Sequence, residues 1–245
     1  VGPRGRIVEF GSGSGLKTRL LLDALEEPVC YLPIDISKAA LRGCASRIAD
    51  QMSDLDVLPI CADYTEPIEL PEAAPEVRRT VAYFPGSTIG NFEPDEAVDF
   101  MTRIAEMVGA SGGLLIGVDR VKSRRRLELA YDDPEGVTAA FNLNLLRRAN
   151  RETGADFDLD AFAHQAVYNE VQQRIETYLV SRRDQRVTID GRAFDFEEGE
   201  RIWTEHSYKY TRERFAALAR RAGFSVEQVW TDRRDWFSVW SLTVA

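Results

Sequence analysis

The chain has 245 residues, 44% of them hydrophobic and 29% charged, with a formal net charge of −9 at pH 7. That length suits one large α/β domain or a domain with a sizeable insertion, and the composition is that of a soluble globular protein. The acidic balance argues against nucleic acid or an anionic membrane surface as partner, and neither a membrane-length apolar run nor a signal-peptide pattern is present. Cys30, Cys44 and Cys61 form neither a CxxC pair nor an even disulfide framework, so they read as core filler in a reducing cytoplasm. With His164 and His206 as its two histidines, the chain is not expected to build a histidine metal site.

Residues 6–120 alternate short apolar runs with amphipathic stretches, the pattern of a parallel sheet covered by helices. The strand candidates are RIVEF (6–10), CYLPID (30–35), VLPICA (57–62), TVAYF (80–84) and LLIGV (114–118). A helix over 37–52 opens on Ser37 as N-cap and carries Leu41, Cys44, Ala45, Ile48 and Met52 on one face. Pro94 suits the first turn of a second helix over 94–108, whose stripe is Ala97, Val98, Met101, Ile104, Ala105 and Val108, with Gly109 as its stop. Residues 121–170 then read as helical and charged, and 174–210 as strands with an Asp-Gly hairpin turn at 190–191. A last helix over 212–222 stops at Gly223, and VEQVW and FSVWSLTVA follow as an antiparallel pair at the sheet edge. The middle block, roughly 121–210, reads as an insertion rather than an independent domain.

VEFGSGSG (8–15) is a strand feeding a glycine-rich turn and a helix, LKTRLLLDAL. Gly11, Gly13 and Gly15 let backbone approach a ligand closely, and the helix start offers free N–H groups. The same glycines also fit a tight turn with no ligand. Asp35, ending the next strand, decides for a nucleoside site, because a carboxylate there can accept both ribose hydroxyls. Dinucleotide folds space their glycines GxGxxG; the closer spacing here, preceded by Glu9, points to S-adenosylmethionine, which has cationic groups and no pyrophosphate. Asp63 and Tyr64 form an adenine-side pair, one for the exocyclic amine and one to stack, although Asp63 equally suits a cap on the TEP turn. Lys17 lies in the first helical turn, where a solvated lysine is also ordinary.

YFPGSTIGNF (83–92) begins as a core strand and ends in exposed backbone. The strand before it neighbours the first strand at the point where strand order reverses, so Pro85-Gly86 carbonyls and the Asn91 amide can hold an amine. A plain turn before Pro94 is the alternative. In TEHSYKY (204–210), Glu205 and Ser207 share one strand face, roughly 6.6 Å apart along the strand, and could bracket the two nitrogens of an imidazole. A solvated strand face is the alternative there, and His206 points the other way.

FGSGSGLKT, the strand-end Asp35, FPGSTIGNF and TEHS, in this order, resemble the ergothioneine-pathway L-histidine Nα-methyltransferases over nearly the whole chain. The resemblance implies a class I methyltransferase fold: a Rossmann-like doubly wound sheet with a terminal antiparallel strand pair and an inserted α+β subdomain. Residues 1–120 and 211–245 would bind S-adenosylmethionine, and 121–210 the substrate. It implies trimethylation of the histidine α-amine to hercynine. Gly11, Lys17, Asp35, Asp63 and Tyr64 would hold the donor, Gly86 and Asn91 receive the amine, Tyr131 the carboxylate, and Glu205 and Ser207 the imidazole. The resemblance further implies a small-molecule substrate; a monomer is expected, and the acidic balance argues against a nucleic-acid or membrane partner. Members carry a helical segment before the first strand that helps close the site; the sequence begins at Val1, so the expectation is normal donor binding with weak turnover. Thr177 stands where the family's pocket has methionine. A methyltransferase for another amino acid or amine shares all of this except Glu205 and Ser207. A non-catalytic S-adenosylmethionine sensor is the alternative of a different class, expected if a start at Val1 is native; a nicotinamide dehydrogenase is disfavoured by the glycine spacing.

Overall fold

Apolar runs bounded by glycine and proline become the strands of a central sheet in the computed structural model, which describes residues 1–13 and 15–245. β1 (Gly5–Phe10) leads to α1 (Leu16–Asp23), β2 (Cys30–Asp35), α2 (Lys38–Gln51), two short pieces β3 (Asp56–Val57) and β4 (Ile60–Cys61), β5 (Arg79–Phe84), a 3-10 turn (Thr88–Asn91), α3 (Pro94–Val108) and β6 (Gly113–Asp119). There follow α4 (Arg124–Tyr131), α5 (Val137–Thr153), β7 (Phe162–Asn169), β8 (Arg174–Ser181), β9 (Gln185–Ile189), β10 (Arg192–Phe196) and β11 (Arg201–Tyr208). The chain closes with α6 (Arg212–Arg221), β12 (Phe224–Thr231) and β13 (Phe237–Val244). Contacts divide it into two units: Val1–Arg120 with Tyr210–Ala245, and Val121–Lys209.

The first unit is a doubly wound sheet in the order β12-β13-β6-β5-β1-β2-β3, with β4 also on β2. Strands from β6 to β3 run parallel, whereas β13 lies antiparallel to β6 and β12 antiparallel to β13. Every residue of β1 is buried, as a central parallel strand covered on both faces requires. Ser37 caps α2 by accepting from the Ala40 amide, and Leu41, Cys44, Ala45 and Ile48 are buried beneath it. In α3 the buried stripe runs through Phe100, with Val98 only half-buried.

Three expectations are corrected. VLPICA is not one strand: Pro59 has no N–H to give the ladder, so pairing breaks into β3 and β4 around it. Cys61 is exposed, unlike the buried Cys30 and Cys44, because this interrupted edge leaves its side chain outside the core. Residues 162–169 are a strand and not helix; Phe162 and Tyr168 are buried while the whole segment pairs antiparallel with β8.

The second unit holds the antiparallel sheet β11-β8-β7 and the hairpin β9-β10. Asp190 and Gly191 turn that hairpin with φ of 48° and 74°, which is why an Asp-Gly pair stands there. Leu146 of α5 packs with Phe157, Phe162, Leu179 and Val187; Leu127 of α4 packs with Tyr168 and Ile175. β11 contains a bulge: Trp203 pairs with Tyr178 and Glu205 with Thr177, leaving Thr204 extra. Among the described residues no helix is long and apolar enough to cross a membrane.

Candidate functional site

β1 ends at Phe10 and the chain turns through Gly11, Gly13 and Gly15 at φ of 74°, 48° and 70°, conformations costly for other residues. A Cβ at Gly15 would stand 2.8 Å from Cys44 Sγ, so this glycine also allows α1 to start tight against α2. The turn walls a cavity of about 210 Å³ shared with Glu9, Lys17, Tyr64, Gly86 and Thr88. It therefore joins the C-terminal ends of β1 and β5, sheet neighbours on either side of which the strand order reverses. A larger cavity of about 660 Å³ lies at the opposite ends of the strands, beside Arg4, Val29 and Asp56, and has no glycine turn. In the glycine cavity, Ser12 is buried and its Oγ has no hydrogen-bond partner among the described residues. An orphaned hydroxyl beside close-approach backbone fits a small polar ligand such as the amino-acid end of S-adenosylmethionine.

Asp35 ends β2, with Oδ1 accepting from the Ser37 amide at 2.8 Å and Oδ2 lying 3.5 Å from the Gly13 amide. It thereby ties the glycine turn to the start of α2. Asp63 Oδ1 accepts from the Thr65 amide at 2.9 Å and hydroxyl at 2.7 Å, and these bonds hold its carboxyl below the usual range. The turn-capping use of Asp63 is thus present alongside any adenine role. Tyr64 packs edge-on against Phe10 and Phe84, with ring centres 6.1 and 5.8 Å away, and stands over Gly11. Lys17 is exposed at the cavity rim.

Glu9, noticed in the sequence only as an acidic neighbour of the glycines, is 2% exposed. It accepts the Thr18 hydroxyl at 2.6 and 2.8 Å and also the Tyr31 hydroxyl. Burial pushes its carboxyl up to about 7 against the pull of those two bonds, and Asp35 adds to the rise. Burial and the Glu9 charge together keep the Tyr31 phenol protonated far above its ordinary range.

After β5 the chain is shaped by Ser87, at φ 59°, whose Oγ accepts from the Asp119 amide at 2.8 Å. A Cβ on Gly117 of β6 would overlap the Pro85 carbonyl oxygen, so this glycine is what lets the loop lie against its neighbour strand. Gly86 lines the glycine cavity; Asn91, exposed at the end of the 3-10 turn, lines an adjoining cavity of about 470 Å³ that shares Tyr64 and Thr88.

In the second unit, Tyr131 at the end of α4 and Ser207 on β11 meet at one group that sequence reading missed. Lys209, 0% exposed, donates from Nζ to the Tyr131 hydroxyl and to Ser207 Oγ, both at 2.8 Å. Glu205 is exposed and paired in register with Thr177, itself 3% exposed; Thr177 Oγ1 lies 3.0 Å from Thr204 Oγ1. After the bulge the strand is regular, so Glu205, Ser207, Thr177 and Ile175 lie on one face. His206 lies on the other, edge-on to Tyr208 at 5.4 Å. Lysine is seldom fully buried, and nothing local in YKY sets this one apart.

A family profile described as histidine-specific, S-adenosylmethionine-dependent methyltransferase matches residues 1–244. The histidine N-alpha-methyltransferase of Mycolicibacterium smegmatis is 39% identical over 231 residues, covering 92% of this chain and 71% of that one. Its counterpart from Mycobacterium tuberculosis is 38% identical over 239 residues, covering 95% and 73%. Among solved structures, an S-adenosylmethionine-dependent methyltransferase from Clostridium acetobutylicum aligns with a TM-score of 0.55 at 9% identity, over 99% of this chain and 85% of that one, a likeness of fold alone.

Proposed function

The chain belongs to the histidine-specific, S-adenosylmethionine-dependent methyltransferase family, and from that premise we propose that it methylates the α-amino nitrogen of L-histidine three times to give hercynine, a step of ergothioneine biosynthesis. The observation carrying the choice of acceptor is Glu205 and Ser207 on one strand face, a carboxylate and a hydroxyl suited to the two nitrogens of an imidazole.

S-adenosylmethionine supplies an electrophilic methyl group on a sulfonium sulfur. The Gly11–Gly15 turn and Lys17 would hold its amino-acid end, Asp35 its ribose, and Asp63 with Tyr64 its adenine. Gly86 and Asn91 would orient the amine so that its lone pair faces the methyl group. As the N–C bond forms the S–C bond breaks, S-adenosylhomocysteine leaves, and the amine proton passes to solvent before the next transfer. An α-amino group is mostly protonated below about pH 8, so the site must select the neutral form. With a good leaving group already present, alignment and exclusion of water carry the catalysis, and no strong general base is assigned. Tyr131 would hold the carboxylate. Buried Thr177, bonded to Thr204, gives one specific reason to test other amino acids as acceptors.

Calorimetric titration of amino acids into protein saturated with S-adenosylhomocysteine tests this reading. Histidine should bind far more tightly than tryptophan or leucine, because a polar pocket leaves its own groups unpaired against an apolar side chain. Equal affinities would remove the assignment of Glu205 and Ser207.

A further inference from the structure

We infer that Lys209 is a positioning residue for acceptor specificity: it fixes the Tyr131 and Ser207 hydroxyls as donors, one toward the acceptor's carboxylate and one toward a lone-pair nitrogen of its imidazole. The inference deepens the proposed function and rests on it.

An ammonium group has donors and no acceptor. Lys209 Nζ lies 2.8 Å from both hydroxyl oxygens, so each oxygen accepts from it and each hydroxyl hydrogen must go elsewhere. Neither hydroxyl donates to another protein group among the described residues.

Tyr131 is fixed from behind too. Its carbonyl oxygen lies 2.7 Å from His164 Nε2, and His164 Nδ1 lies 2.9 Å from the Asn142 amide nitrogen. A carbonyl only accepts and an amide nitrogen only donates, so the His164 hydrogen sits on Nε2. A polar chain, buried at Asn142, Lys209 and Ser207 and half-buried at His164 and Tyr131, thus runs from Asn142 through His164, Tyr131 and Lys209 to Ser207, with the direction of each bond determined.

The consequence is a polarised pair. Ser207 offers a hydrogen, and Glu205, two residues earlier on the same face, offers a carboxylate that accepts one. One donor and one acceptor match a single tautomer of neutral imidazole, whereas two acceptors would match imidazolium. The buried cation further favours an acceptor that brings a carboxylate to Tyr131.

The test compares parent protein with Lys209→Met and Lys209→Arg, using histidine and histamine, which lacks the carboxylate, as methyl acceptors. Loss of a charge-assisted contact predicts a KM for histidine raised about 10- to 100-fold in Lys209→Met, with a smaller rise for histamine. kcat and S-adenosylhomocysteine affinity should change little, and Lys209→Arg should recover part of the loss. An unchanged KM in Lys209→Met, in a parent that does methylate histidine, overturns the role of Lys209. A parent that binds the donor but never methylates histidine overturns the proposed function, and the inference with it. Should Lys209→Met not fold, Tyr131→Phe, Ser207→Ala and the double variant decide: effects on KM coupled through the shared lysine support the inference, and independent effects refute it.

Discussion

Replacing Glu9 with Gln removes a buried carboxyl beneath the glycine turn whose ionisation is linked to folding. Glu9 ionises at about 7 in the folded protein against 4.5 for an ordinary glutamate, because burial outweighs the bonds from Thr18 and Tyr31. The difference between those two values is worth roughly 3 kcal/mol. The folded carboxyl is the one that keeps its proton, so the unfolded chain binds fewer protons between those two values. Stability therefore falls as pH rises through the window and levels off above it. Gln does not titrate, and the stability difference, variant minus parent, should climb by about 3 kcal/mol between about pH 4.5 and pH 8, read by urea unfolding. Titrations elsewhere cancel in that difference. A difference that stays flat with pH would mean that Glu9 is ionised as readily as in the unfolded chain, and the burial argument would fail. The same group lines the cavity assigned to the donor. The cationic sulfonium favours ionised Glu9, so S-adenosylmethionine affinity should rise with pH through this range more than that of the neutral-sulfur product, and not in the variant.

Asp35→Ala should weaken S-adenosylhomocysteine binding by about 10- to 100-fold, the usual cost of losing charged hydrogen bonds; unchanged calorimetric affinity would take Asp35 out of the site. Gly117→Ala places a methyl group where the Pro85 carbonyl lies, and backbone cannot yield as a side chain can. It should cost about 3 kcal/mol in denaturant unfolding and displace the Gly86 loop, so a fully stable variant with normal donor binding would contradict the packing described. Glu205→Ala should raise KM for histidine far more than it lowers kcat while leaving donor affinity intact; loss of donor binding would show that Glu205 serves another purpose.

Much of the first unit could be read locally. β1 and β2 are short, mostly apolar runs, the glycine turn follows β1 at once, and Asp35 is the next strand's last residue, so neighbours in sequence are neighbours in the site. Ser37, Pro94 and Gly109 marked helix ends because capping is a property of one turn. What escaped reading was either masked by composition or assembled over distance. β7 alternates poorly because His164, Gln165 and Ala166 are only half-buried, and its strand character comes from pairing with β8. Lys209 becomes a site residue through Tyr131, 78 positions away, and Glu9 through Tyr31, 22 positions away. No local pattern distinguishes such a lysine or glutamate from a solvated one. The bulge at Thr204, which leaves Glu205 and Ser207 regular beyond it, likewise exists only in the pairing with β8.

Incubation of the protein with S-adenosylmethionine and each common amino acid, with products identified by mass and NMR, bears most directly on the proposed chemistry, and its readout is product identity rather than rate. The account predicts that histidine is the preferred acceptor and that all three new methyl groups sit on its α-nitrogen. Methyl groups on the imidazole ring, or preferential methylation of a different amino acid, would contradict it.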